Sequence, residues 1–136
     1  MTSEVSEIRQ GVTRLARRMR AVRSPQALSG NKLGVLSHLH RHGPATAGEL
    51  AAAERQQPQS LTRVFRELEA DGLVTRSADD QDRRQSVFTL THAGAEALRD
   101  DMAERDAWLA TALDGVTETE RQLLLIAARL MDRLSY

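Results

Sequence analysis

The chain has no cysteine among its 136 residues, which removes disulfides, thiolate metal sites and thiol redox sensing from consideration. Aromatic residues make up only 3% of it, so its core has to be assembled from leucine, valine, alanine and methionine. Such a core suits packed helices better than a β-sandwich, whose strands favour β-branched and aromatic side chains. No apolar run approaches the ~20 residues of a membrane span. The opening stretch, Met1 to Gln10, is polar and lacks the apolar segment of a secretion signal. These absences predict a cytoplasmic protein with no membrane partner. Nucleophile elbows, phosphate loops and metalloprotease motifs are missing as well, which argues against an enzyme.

Lysine is nearly absent: of nineteen basic residues only Lys32 is a lysine. Arginine's planar fork suits phosphate and guanine, although a GC-rich genome would produce the same bias. The formal net charge is zero, which over the whole chain argues against a nucleic-acid partner. The distribution is uneven, however. Residues 1–24 carry +4, residues 93–136 carry −4, and the stretch between them is neutral. The ends are complementary, as expected if they pack together, and any DNA contact must rest on local placement of charge. By length the chain is one domain, large enough for a core without disulfides or metal.

Periodicity then sets out the elements. Val5, Ile8, Val12, Leu15, Met19 and Val22 form a heptad-like seam on a first helix that should end at Ser24-Pro25. Ser29 can cap a second helix carrying Leu33, Leu36 and Leu39, with its stop at Gly43-Pro44. Thr46 and Glu49 have the spacing of a capping box ahead of a short helix to about Ala53. Pro58 suits the first turn of a further helix, whose stripe of Leu61, Val64, Phe65 and Leu68 closes at Asp71-Gly72. Strand-like pieces follow at Leu73 to Ser77 and Ser86 to Leu90, around a polar tip. Thr91 opens a long helix with Leu98, Met102, Leu109 and Leu113, and a last helix from near Thr117 carries Leu123, Ala127, Leu130 and Leu134. A short helix, tight turn, longer helix and hairpin make a winged helix-turn-helix. Apolar seams at both chain ends are more than one small domain is expected to cover, which suggests a homodimer.

Three stretches resemble the MarR family of bacterial regulators, over nearly the whole length. They are Gly43-Pro-Ala-Thr-Ala-Gly-Glu-Leu-Ala51; Gln57 to Val64 with its exit at Leu68 to Val74; and Asp79-Asp-Gln-Asp-Arg-Arg84 followed by Leu90-Thr-His-Ala-Gly94. The turn before the recognition helix departs from the family pattern: a glycine and a serine or threonine cap are usual, and Glu54-Arg55-Gln56-Gln57 stands here. The resemblance implies a mainly α fold: a winged helix-turn-helix with a small β-hairpin wing and a helical dimerisation lobe formed by the N- and C-terminal helices. Residues 1–136 would be a single such domain, with 1–24 and 93–136 as dimerisation helices and 25–92 as the winged DNA-binding lobe. The implied function is a ligand-responsive repressor that binds a pseudo-palindromic operator in double-stranded DNA as a homodimer, with no cofactor.

The apolar stripe of the recognition helix leaves Gln57, Gln59, Ser60, Thr62, Arg63 and Arg66 facing outward. Glutamine can pair with adenine, arginine with guanine, and serine or threonine with a base or phosphate. The alternative is the solvated polar face that any amphipathic helix has. Asp82, Arg83 and Arg84 lie at the hairpin tip, where a solvated charge run is the default. The resemblance makes Arg84 the minor-groove residue, Arg83 a phosphate contact and Asp82 a brace for an arginine. It also implies a small phenolic or aromatic carboxylate ligand between the lobes, with Arg14, Arg18, Arg41 and Trp108 as candidate partners. Tryptophan so placed is more often a packing residue. His38 and His42, four apart, could hold a metal in a metal-responsive regulator, or simply complement the negative end of their helix. A winged helix serving protein contacts without DNA binding is the remaining alternative.

Overall fold

Six helices and three short strands are formed by residues 3–22 and 27–135, the part that the computed structural model describes. Helix α1 (Glu4–Ala21) starts where the Ser3 hydroxyl accepts the Ser6 amide, with Glu4 and Glu7 at the positive end of the helix dipole. Its expected stop at Ser24-Pro25 lies outside the described residues. Ser29 caps α2 (Gly30–His42) in the same way, and the helix stops at Gly43. Both halves of the Thr46–Glu49 capping box are formed at the start of α3 (Ala47–Ala53). Pro58 opens α4 (Pro58–Ala70). Then come β2 (Val74–Ala78), β3 (Ser86–Leu90), α5 (His92–Leu113) and α6 (Glu118–Leu134), the last opened by a second capping box between Thr117 and Glu120.

The sheet has one strand more than a hairpin. Ala45–Thr46 is a two-residue strand, β1, and the order is β1-β3-β2, all antiparallel. Two residues are too few to show the alternation by which a strand is read from sequence. Phe88 sits at the centre, opposite Arg76 on one side and Ala45 on the other.

The chain divides into two compact units, Ser24–Met102 and Met1–Arg23 with Ala103–Tyr136. In the first, Val35, Leu36 and Leu39 of α2, Leu50 of α3, Leu61, Phe65 and Leu68 of α4, Val74, Phe88 and Leu98 form one core. Phe65 and Phe88 stack with ring centroids 4.7 Å apart. Each such leucine or phenylalanine contributes about 1.5–3 kcal/mol by leaving water, and together they fix α4 against the sheet. The early part of α5 belongs to this unit, through Leu98 and Met102.

The second unit holds α1 and the chain from Ala103 onward, so the basic first segment shares one compact body with the greater part of the acidic last one, while residues 93–102 belong to the winged unit. Its apolar seams stay largely uncovered within the chain. Val5 and Leu134 are each 76% exposed, and Ile8, Val12, Leu15, Leu123, Ile126 and Leu130 are exposed too.

Two helix ends close with the same hydrogen-bond pattern and different residues. After α4, the Gly72 amide donates to the Glu69 carbonyl and the Leu73 amide to the Leu68 carbonyl. After α3, the Arg55 amide donates to Ala52 and the Gln56 amide to Ala51. Both are Schellman closures, which require a left-handed residue at the pivot. Gly72 has φ +75°; Arg55 has φ +54° and is the one described non-glycine residue with positive φ. An arginine therefore occupies a glycine-type position in the turn that delivers the chain to α4.

Candidate nucleic-acid interface

Helix α4 projects from the winged unit with its stripe of Leu61, Phe65 and Leu68 buried and the opposite face in solvent. Gln57, Gln59, Ser60, Thr62, Arg63 and Arg66 are all exposed. Gln57 occupies the cap position and makes no side-chain cap bond, so the start of α4 rests on Pro58 and on the Ser60 amide donating to the Gln57 carbonyl at 2.9 Å. The Thr62 hydroxyl donates back to the Pro58 carbonyl at 3.4 Å. Arg63 is drawn along the helix to Glu67, with Nε 2.8 Å from its carboxylate, and Lys32 of α2 holds the other oxygen at 2.9 Å. Hydrogen bonds from Lys32 and then Arg63 keep the Glu67 carboxyl below its ordinary range. The Arg63 side chain is still 87% exposed.

The wing is the β2–β3 hairpin, with residues 79–85 at its tip. The Asp79 amide donates to the Gln85 carbonyl and the Gln85 amide to the Asp82 carbonyl, both at 3.0 Å. Asp82 Oδ1 accepts from the Arg84 amide at 3.1 Å and from Arg84 Nε at 3.2 Å. These two bonds hold the Asp82 carboxyl below its ordinary range, the amide bond contributing more. The tip thus has internal structure around a carboxylate. Arg84 is tethered at the root of its guanidinium and 93% exposed, and Arg83 is exposed beside it.

The family-like segment Leu90 to Gly94 is explained by the wing's exit. The Thr91 hydroxyl donates to the Gly72 carbonyl at 2.7 Å and accepts the Gly94 amide at 3.0 Å, while the Thr91 amide reaches the Leu73 carbonyl. A Cβ at Gly94 would collide with that Leu73 carbonyl oxygen, so only glycine lets α5 leave the sheet this closely.

Among the candidate ligand partners, Arg41 lines a cavity of about 390 Å³ with Ser37 and His40 of α2 and Ala95, Leu98, Arg99 and Met102 of α5. Arg99 was not singled out in the sequence, because only the packing of α2 on α5 brings it to the cavity of Arg41 and its chain neighbour His40. Arg14, Arg18 and Trp108 belong to the other unit, where the Arg18 guanidinium lies 5.6 Å from the Trp108 ring centroid. That cation–π contact gives both side chains a structural role. The His38 and His42 rings are 4.7 Å apart. Burial and then the neighbouring His42 lower the His38 pKa, with Glu49 opposing. Among the described residues no three histidines or carboxylates converge as metal ligands.

Sequence reading also missed Arg76 and Glu69, which meet across the α4–wing junction with Arg76 Nε 3.4 Å from Glu69 Oε2. Strand alternation from Val74 would have placed Arg76 on the sheet face that carries Phe88.

A buried three-helix core with an exposed polar helix and a flanking antiparallel wing defines a winged helix-turn-helix protein. Residues 28–86 match the model of the MarR family. The chain is 35% identical to an uncharacterized HTH-type transcriptional regulator of Mycobacterium bovis, over 93% of this chain and 88% of that one. It is 30% identical to the HTH-type transcriptional repressor MdtR of Bacillus subtilis, over 81% of this chain and 69% of that one. Among solved structures, BpsR of Bordetella bronchiseptica, studied for regulation of its DNA binding by 6-hydroxynicotinic acid, shares the fold. Its TM-score is 0.68 at 21% identity, with 93% of this chain and 98% of that one covered. The chain belongs to the MarR family: it is a DNA-binding transcriptional regulator, not an enzyme. No helix among the described residues is long and apolar enough to cross a membrane.

Proposed function

We propose that the chain is a homodimeric repressor that reads a pseudo-palindromic operator and releases it when a small aromatic carboxylate binds. The observation that carries this reading is the pairing, in one compact unit, of the exposed polar start of α4 with a wing tip whose carboxylate braces its arginine. In it, Gln57, Gln59, Ser60, Thr62, Arg63 and Arg66 face the major groove. Arg84 enters the flanking minor groove, Arg83 meets phosphate, and Asp82 holds Arg84 ready. The zero net charge is compatible with DNA binding because these arginines are concentrated where the duplex would lie.

Residues 1–24 and 93–136 supply the dimerisation helices in this reading, and residues 25–92 the DNA-binding lobe. The exposed seams of α1 and α6 support it, since leucines left 42–76% exposed in one chain are a surface that a second copy can cover. Repression follows the relative MdtR. Ligand response follows BpsR and the cavity lined by Arg41 and Arg99 together with Leu98 and Met102, a pairing of cationic and apolar side chains that suits a flat anionic ring. Such a ligand acts only by preferring the conformation that does not bind DNA. Selection of bound fragments from random duplex DNA tests the core of the proposal. Inverted repeats with centres about 10 bp apart are expected, and recovered sites without two-fold symmetry would refute the dimeric geometry.

A further inference from the structure

Between α4 and the wing runs a cleft of about 360 Å³ that the reading above leaves without a role. Ala47, Pro58, Phe65 and Phe88 line its apolar part, Gln59 and Thr62 of α4 one polar wall, and Arg76 and Ser86 of the wing the other. Arg76 is the only charged residue among those lining it. Its guanidinium lies 5.3 Å from the Phe88 ring centroid, and Glu69 meets it at Nε. The aromatic ring and the carboxylate restrict the side chain, which is nonetheless 44% exposed. An arginine held in this way loses less freedom on meeting an acceptor than one on a free stem.

The geometry of the duplex says what would meet it. If α4 enters the major groove and the wing the adjacent minor groove, the sugar-phosphate strand dividing those grooves has to cross between the two elements. We propose that this strand crosses at the α4–wing cleft and that Arg76 is a phosphate-contacting residue there. The inference rests on the placement of α4 and the wing proposed above. It adds a contact that fixes register and orientation and carries no base preference.

The test compares Glu69→Gln with Glu69→Gln/Arg76→Met, because the first change already removes the ion pair and the second then removes only the guanidinium. Methionine keeps an unbranched apolar stem against Phe88; if thermal melting shows that this variant does not fold, Arg76→Gln replaces it. The probe is a labelled random-sequence duplex titrated across a salt series. Loss of Arg76 is expected to weaken binding to all sequences alike and to make the log–log salt slope shallower by about 0.9 per subunit. Glu69→Gln/Arg76→Lys, which restores the charge, is expected to restore the slope. A purely structural role would change affinity without changing the slope. Equal slopes for the two variants, with salt-dependent binding by the wild type, would overturn the assignment of Arg76 alone. A wild type with no salt-dependent binding would overturn the placement of α4 and the wing, and this inference with it.

Discussion

Replacing Arg55 by glycine isolates the cost of the turn that leads into α4. Arg55 sits at φ +54° and Gly72 at φ +75°, each as the pivot of a Schellman closure. A side chain bearing a Cβ in the left-handed region costs roughly 1–2 kcal/mol. Glycine avoids that cost but leaves the unfolded chain freer, which offsets about 0.4–1 kcal/mol. The net expectation for Arg55→Gly is a gain of about 0.5–1 kcal/mol, or a melting temperature higher by ~2–4 °C at fixed protein concentration. Gly72→Ala is the reciprocal measurement. A Cβ there would meet nothing within 4 Å, so backbone strain alone is read, and a loss of similar size is expected. Thermal and denaturant unfolding of both variants provide the assay. A lower melting temperature for Arg55→Gly, with the expected loss for Gly72→Ala, would refute the claim that Arg55 is strained.

Gly94→Ala drives a methyl group into the Leu73 carbonyl, which is backbone and cannot swing aside; a lower denaturant midpoint, by about 1–3 kcal/mol, is expected. Burial raises the Glu54 pKa above 4.5, so the folded state binds the extra proton and stability falls as pH rises from 4.5 through the raised value. Glu54→Gln should flatten that part of the melting profile and melt higher near neutrality; an unchanged profile would contradict it. Asp82→Ala removes both bonds to Arg84 and should weaken DNA binding several-fold, whereas tighter binding would show the carboxylate only repels the duplex. Aspartate at both Leu130 and Leu134 should give monomers that no longer bind operator, because charge replaces apolar surface that a second copy would cover; sedimentation of the wild type as a monomer with intact binding would sink the dimer.

Much of the fold was legible because its signals are local. Ser29, Thr46 with Glu49, Pro58 and Asp71-Gly72 each act on amides or carbonyls within a few residues, and each helix end they mark is where the structure has it. The exposed face of α4 followed from its buried stripe, since a period of 3.6 residues determines both faces together. Tertiary structure decided what depends on distant partners. Ala45 becomes a strand only because Phe88 lies beside it, and a dipeptide has no pattern of its own. Gly94 is required by a carbonyl from the far side of the hairpin. Arg76 meets Glu69, and Arg99 of α5 comes to line one cavity with His40 and Arg41 of α2, across elements whose approach is set by the core. Local chemistry acts over one turn of chain and can be read in order; a cleft or cavity exists only once nonlocal packing has brought its walls together.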